Sequence, residues 1–176
     1  NGSSSGLAAD TSYSLGSAAI DLKVGDLNGD GVLDLLVSER TRVEDLLGTR
    51  GGRFGIPQFA AVGWKGGPPA GSLAPEDLNG DRRLDLACYG KNTWESGTWI
   101  MFALGFGTGG FGTTREIYNH LAPGPLIAAD VTGDRKLDLA YTGDDLSGAY
   151  VRHLLLGQPG RGDGTFGAAV TPVIDG

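Results

Sequence analysis

Apolar residues along this chain come in short runs broken by Gly, Asp, Asn and Pro. The first stretch offers AAIDLKV, VLDLLVSE, RVEDLLG and FGIPQFAAV in succession. The middle of the chain offers RLDLACYG, GTWIMFALG and FGTTREIY, and the last part LIAADV, KLDLAYTG, AYVRHLLLG and FGAAVTPVI. Runs of this length, rich in apolar and β-branched residues and bounded by turn formers, predict strands joined in hairpins. The breakers leave no room for a long amphipathic helix. The pattern therefore predicts an all-β fold.

The same order of runs returns three times, and two marks fix its period. DLNGDGVLDL begins at Asp26, DLNGDRRLDL at Asp77 and DVTGDRKLDL at Asp130, so the starts are 51 and 53 residues apart. Out of phase with these, GTRGGRFG, GFGTGGFG and GRGDGTFG place Phe54, Phe111 and Phe166 at spacings of 57 and 55. Four short strands in about fifty residues is the size of one propeller blade. The reading is three blades over residues 7–176, preceded by a flexible NGSSSG linker at 1–6.

Each Asp loop sets side-chain oxygens at its positions 1, 3, 5 and 9, with a backbone carbonyl at position 7. The donors are Asp26, Asn28, Asp30, the carbonyl of Val32 and Asp34 in the first loop. They are Asp77, Asn79, Asp81, the carbonyl of Arg83 and Asp85 in the second, and Asp130, Thr132, Asp134, the carbonyl of Lys136 and Asp138 in the third. Hard oxygen donors at such spacing suit Ca²⁺, which takes about 6–8 oxygens in irregular shells. Carboxylates this crowded repel one another unless a cation lies between them. Asp, Asn and Gly also form turns by capping backbone N–H groups, but a threefold recurrence of one oxygen spacing favours the cation. Gly31 allows a sharp turn at position 6, where Arg82 and Arg135 stand in the other loops. The first site is thus the strongest and the third, with Thr132 for Asn, the weakest.

The loop D-x-N-G-D-G-x-x-D-L followed by a Gly-rich segment ending in Phe-Gly resembles the FG-GAP or VCBS repeat. That repeat is found in integrin alpha-chain propellers, in propeller lectins and in many secreted bacterial proteins. The resemblance runs from about Gly6 to Phe166. It implies a β-propeller of four-stranded antiparallel blades, up to three bound Ca²⁺ on the loops between the first two strands of each blade, and a secreted, extracellular setting. Arg82, Arg135 and Thr132 depart from the repeat's pattern.

Composition narrows the function. The chain has 176 residues with 32 Gly and 8 Pro, about twice the roughly 12% average for the pair. The net charge is −7 with no basic stripe, which excludes nucleic acid as a partner. No apolar run approaches the roughly 18 residues of a membrane span. Cys88 stands alone, so an intrachain disulfide is excluded. The chain opens at Asn1 without Met, as a processed chain or an excised fragment does. Three blades fall short of the roughly 4–8 that close a ring. The ring is then completed by further blades of a larger protein or by self-association.

Catalysis finds little material. His120 and His153 have no nucleophile or ligand pattern around them, and the paired carboxylates belong to the cation loops. A binding surface fits better, because propellers present loops and grooves around a rigid core. Asn92, Trp94 and Glu95 combine an aromatic face with polar edges, as a sugar site does. Trp64 and the pair Tyr118 and His120 follow their Phe-Gly marks at matching places and resemble the inter-blade sugar sites of propeller lectins. Trp99, inside TWIMFAL, reads as core. Arg161-Gly162-Asp163 spells an adhesion tripeptide but occupies the repeat's own turn. Two functions stay open: a non-catalytic, lectin-like module for glycans, and a structural or protein-binding propeller segment.

Overall fold

The computed structural model describes residues 12–40, 42–60, 69–91, 98–119, 121–145 and 150–170. Every regular element among them is a strand, and every pairing is antiparallel. The first sheet holds β1 (Ala19–Gly25), β2 (Asp34–Glu39), β3 (Val43–Leu46) and β6 (Gln58–Phe59), in that order. A two-stranded hairpin, β4 (Gly48–Thr49) and β5 (Arg53–Phe54), projects from it. The second sheet holds β7 (Pro69–Glu76), β8 (Asp85–Lys91), β9 (Thr98–Ala103) and β10 (Arg115–Asn119), again in chain order. The third holds β11 (Ala122–Ala129), β12 (Asp138–Asp145) and β13 (Arg152–Gln158). Val170 bridges Gly157 where a fourth strand of that sheet would start. Four strands in the predicted order are thus present in the first two sheets and three in the third, and the Asp loops join the first two strands of each.

Alternation along the middle sheet shows how the sheets stack. Leu86 and Cys88 of β8, with Met101 and Ala103 of β9, pack into a core shared with Leu36 and Val43 of the first sheet. Ala87 and Tyr89 of β8, with Ile100 and Phe102 of β9, point the other way into a core shared with Leu126, Leu139 and Tyr141 of the third. A strand buried on both faces needs apolar residues at consecutive positions, which is why LACY and WIMFA run without polar breaks. The Tyr89 and Tyr141 rings meet edge to face at 5.9 Å, and Phe102 meets Phe166 likewise at 5.2 Å.

The first strands of the three units lie side by side, with β7 against both β1 and β11. One repeat position fastens them. The Asp21 carboxylate accepts the Leu73 N–H at 2.8 Å, and the Ser72 hydroxyl donates to the Leu126 carbonyl at 3.2 Å. Asp21, Ser72 and Pro125 are the same position of successive units, and together with Ile20, Gly71 and Gly124 they line one shallow cleft. Among the described residues no helix is long and apolar enough to cross a membrane.

Candidate functional site

The three Asp loops have the same internal geometry. In the first, one Asp26 oxygen accepts the amides of Gly29 at 2.7 Å and Asp30 at 3.1 Å, and the other accepts that of Gly31 at 2.9 Å. Asn28 accepts the Asp30 amide at 3.0 Å, and Asp30 accepts the Val32 amide at 2.8 Å. The second loop repeats these bonds, with Asp77 taking the amides of Gly80, Asp81 and Arg82, Asn79 that of Asp81, and Asp81 that of Arg83. In the third, Asp130 takes Gly133 and Arg135, and Asp134 takes Lys136. The loop is thus a coil of amides wound around the carboxylate at position 1. Position 5 is exposed in all three, while positions 1 and 3 are half-buried in the first two loops and exposed in the third.

Position 6 is left-handed in each loop, with φ of 80° at Gly31, 68° at Arg82 and 69° at Arg135. The arginines therefore keep the turn that glycine makes freely, at the steric expense of a Cβ in that region. The third loop also supplies a charge of its own, since Lys136 Nζ lies 3.6 Å from an Asp134 oxygen.

Position 9 turns inward. Asp34, Asp85 and Asp138 are 0%, 0% and 1% exposed. One oxygen of each accepts the amide of position 2, from Leu27 at 2.8 Å, Leu78 at 3.0 Å and Val131 at 3.0 Å. The other accepts the amide of Gly48 at 2.6 Å, Gly105 at 2.8 Å or Gly160 at 2.8 Å, beyond the third strand. Each of these carboxylates pins its loop to the turn that precedes the Phe-Gly mark. The partner must be glycine, because a Cβ at Gly48, Gly105 or Gly160 would collide with the carbonyl of Leu33, Leu84 or Leu137. Sequence reasoning missed these glycines. Their signal was available: each stands six residues before the Phe of its mark.

The surroundings tune these acids in opposite senses. Burial drives Asp85 upward, assisted by the charges of Asp81 and Asp77, against the amides of Gly105 and Leu78. Burial also opposes ionisation of Asp138, but the amides of Gly160, Thr132 and Val131 and the Thr132 hydroxyl hold it below the usual range. Among the described residues, no group of three or more His, Cys, Asp or Glu side chains is arranged to hold a metal ion. Positions 1 and 9 each accept backbone amides on both oxygens, so hydrogen bonding does not separate the two as cation donors.

Further acids lie buried in the first sheet. Glu39 accepts the Gly16 amide at 3.1 Å and the Ser17 hydroxyl at 2.9 Å, and Arg42 lies 2.6 Å from Glu44. This knot holds the segment before β1 against the sheet. Burial, and then the neighbouring Glu39, push Glu44 upward. Asp45 stands where the second unit has Phe102, and neither of its oxygens has a hydrogen-bond partner among the described residues. Burial pushes it upward, and the charge of Asp34 adds to this.

Of the aromatic candidates, Tyr118 is placed on β10, exposed, with its ring 4.9 Å from that of Trp99 on the neighbouring strand. Trp99 packs partly buried against the first core, as expected. Trp64, Asn92, Trp94, Glu95 and His120 lie outside the described residues. His153 is a strand residue paired with Asp144 at 2.6 Å. Arg161-Gly162-Asp163 is a turn: Arg161 bonds Thr165, whose amide and hydroxyl return to Asp163 at 2.9 and 2.6 Å.

The chain matches no model of a known protein family and no curated protein sequence. Among solved structures it is similar in fold to a lectin from Agrocybe aegerita, described by its specific recognition of non-reducing terminal N-acetylglucosamine. The likeness has a TM-score of 0.59 at 22% identity and covers 86% of this chain. It takes in 37% of the lectin, so this chain spans little more than a third of that protein's length.

Proposed function

We propose that this chain is a three-blade segment of a β-propeller of the FG-GAP or VCBS type, and that it serves as a non-catalytic carbohydrate-binding module outside the cell. The observation that carries the propeller reading is the side-by-side placement of β1, β7 and β11, each the first strand of its unit. The cleft lined by equivalent positions of the three units lies where the propeller's axis would run. Fold likeness to a lectin supports the carbohydrate reading, as does the exposed Tyr118 ring braced by Trp99, a surface on which a sugar face can stack. Terminal N-acetylglucosamine is the first ligand to test. On a glycan array the folded protein is expected to bind glycans ending in that sugar, and Tyr118→Ala to lose binding with an unchanged circular dichroism spectrum. An array without signal from folded protein would remove the carbohydrate reading.

Calcium belongs to the same proposal. The donors at positions 1, 3, 5, 7 and 9 of each loop are hard oxygens and fit the ion in chemistry. Asp26, Asn28, Asp30, the Val32 carbonyl and Asp34 would hold it in the first loop, and their counterparts in the others. When bound, the ion supplies charge neutralisation and a cross-link of the loop. Removal of calcium with EDTA is expected to lower the melting temperature and its return to restore it, the bound ion adding about 2.7 kcal/mol of unfolding free energy for one site at a hundredfold excess over Kd. Melting curves that coincide would show that the amide coil closes the loops without the ion.

A further inference from the structure

The two junctions between neighbouring sheets differ at the end that carries the Asp loops. At the first, the Phe111 amide donates to the Ala60 carbonyl at 2.8 Å and the Gly109 amide to the Leu27 carbonyl at 3.3 Å, which bonds the Gly-rich turn of the second unit down onto the first. The corresponding pairs at the second junction are Phe166 with Ile117 and Gly164 with Leu78, and neither bond is made among the described residues. A groove of about 230 Å³ opens there instead. Phe102, Leu104, Phe106, Thr113 and Arg115 of the second unit line it, and Gly164 closes it from the third. Gly164, at φ of 72°, approaches so closely that a Cβ there would lie 2.7 Å from the Leu104 Cδ2.

The chemistry of this groove is also peculiar to the second junction. Phe102 and Arg115 are register partners on one face of the sheet, and their counterparts at the first junction are Asp45 and Gln58. A ring and a cation thus stand where the first junction has a buried acid and an amide. Arg115 is exposed, and among the described residues no carboxylate lies within ion-pair distance of it, whereas Arg42, Lys136 and Arg152 each have one. Asp163, the chain neighbour of Gly164, takes the Thr165 amide and hydroxyl on one oxygen. Phe106 is 57% exposed, so its ring is open to a ligand. A guanidinium fork takes both oxygens of a carboxylate, and an aromatic ring beside it takes a flat apolar body. One cation balances one negative charge, and the groove is smaller than the roughly 300–1,000 Å³ of drug-sized sites.

We propose that this groove binds a small aromatic monocarboxylate, its carboxylate held by Arg115 and its ring stacked on Phe106. The site is separate from the Tyr118 surface. Tyr118 pairs with Trp99, three residues along β10 from Arg115, and so emerges on the opposite face, toward the first sheet. The proposal goes beyond the carbohydrate reading and does not depend on it.

Phenylacetate titrated into isotopically labelled protein and followed by NMR tests it, with acetate and phenylacetamide as controls. The expected result is a saturable shift of the Gly112, Thr113 and Gly164 amide signals at millimolar phenylacetate. Acetate, which lacks the ring, and phenylacetamide, which lacks the charge, are each expected to bind at least about tenfold more weakly. Arg115→Gln is expected to bring phenylacetate down to the level of phenylacetamide, and Phe106→Ala to bring it down to that of acetate. Both side chains are exposed, and circular dichroism verifies that the variants fold. Tyr118→Ala is expected to leave phenylacetate binding as it is. Folded wild type without saturable shifts overturns the proposal, and so does equal affinity for the acid and its amide. Binding that survives both Arg115→Gln and Phe106→Ala overturns it as well, as does binding lost in Tyr118→Ala. A silent glycan array beside intact phenylacetate binding would remove the carbohydrate reading and leave this site in place.

Discussion

A carboxylate taken wholly out of water needs donors on both oxygens, and among the described residues three Asp of the loops have them while Asp45 has none. Asp34, Asp85 and Asp138 each accept two backbone amides, one closing the loop across seven residues and the other reaching 14, 20 or 22 residues along the chain. Replacing Asp34 by Ala leaves the amides of Leu27 and Gly48 buried without acceptors. Loss of about 3 kcal/mol in urea unfolding is expected, and Asp34→Asn should recover only part of it, since its NH₂ would face an N–H. Asp45 is the opposite case, a buried acid with no donor on either oxygen among the described residues. Its carboxyl is raised, so the folded chain holds that proton more tightly than the unfolded chain. The resulting penalty is absent below the ordinary Asp range near 3.9 and grows as pH rises above it. Asp45→Asn is therefore expected to stabilise the protein by about 1–2 kcal/mol at pH 7, with the gain vanishing in acid, as unfolding at a series of pH values would register. The sequence announced the spacing of these acids but not their roles. An oxygen aimed at a cation and one aimed at an amide call for the same residue type, and only the fold shows that position 9 points inward. Nothing in RVEDLLG distinguishes Asp45, which takes the place of Phe102, from a solvent-facing strand residue.

At the scale of the element, the loop keeps its shape where its sequence changes. Gly31, Arg82 and Arg135 share one left-handed conformation, so position 6 is dictated by the amides converging on position 1 and not by the residue that fills it. A non-glycine residue in this region carries about 1–2 kcal/mol of strain, while glycine adds about 0.5–1 kcal/mol of backbone entropy to be lost on folding. Arg82→Gly and Arg135→Gly should therefore each raise stability by about 0.5–1 kcal/mol, and Gly31→Ala should lower it by about the same net amount. Thermal melts of the three variants decide it, and a loss of stability in Arg82→Gly would mean that the arginine side chain contributes more than its backbone forfeits. The strands were legible because their period of two and their breakers are local properties. β4 and β5, two residues each, were not distinguished from the Gly-rich turn that joins them. Their pairing depends on Gly51 and Gly52 at φ of 111° and 75° and on the fastening of Gly48 by Asp34, a contact across fourteen residues.

At the scale of the whole molecule, one repeat position occupies unequal surroundings, and its energetic weight follows from its place in the stack and not from its residue type. Ile100 sits between the second and third sheets with no exposure, so Ile100→Ala removes its methyl groups from a closed core and should lower unfolding free energy by about 2–5 kcal/mol. Leu155 occupies the same position on the third sheet and is 52% exposed. Leu155→Ala should change the stability of dilute protein by no more than about 0.5 kcal/mol, the range of ordinary surface substitutions. Urea titrations of the two variants measure the difference. Equal losses for Ile100→Ala and Leu155→Ala in dilute protein would mean that the third sheet's outer face is already covered within one chain. A large loss for Ile100→Ala beside a negligible one for Leu155→Ala would show one position acting as core in the middle of the stack and as surface on the third sheet.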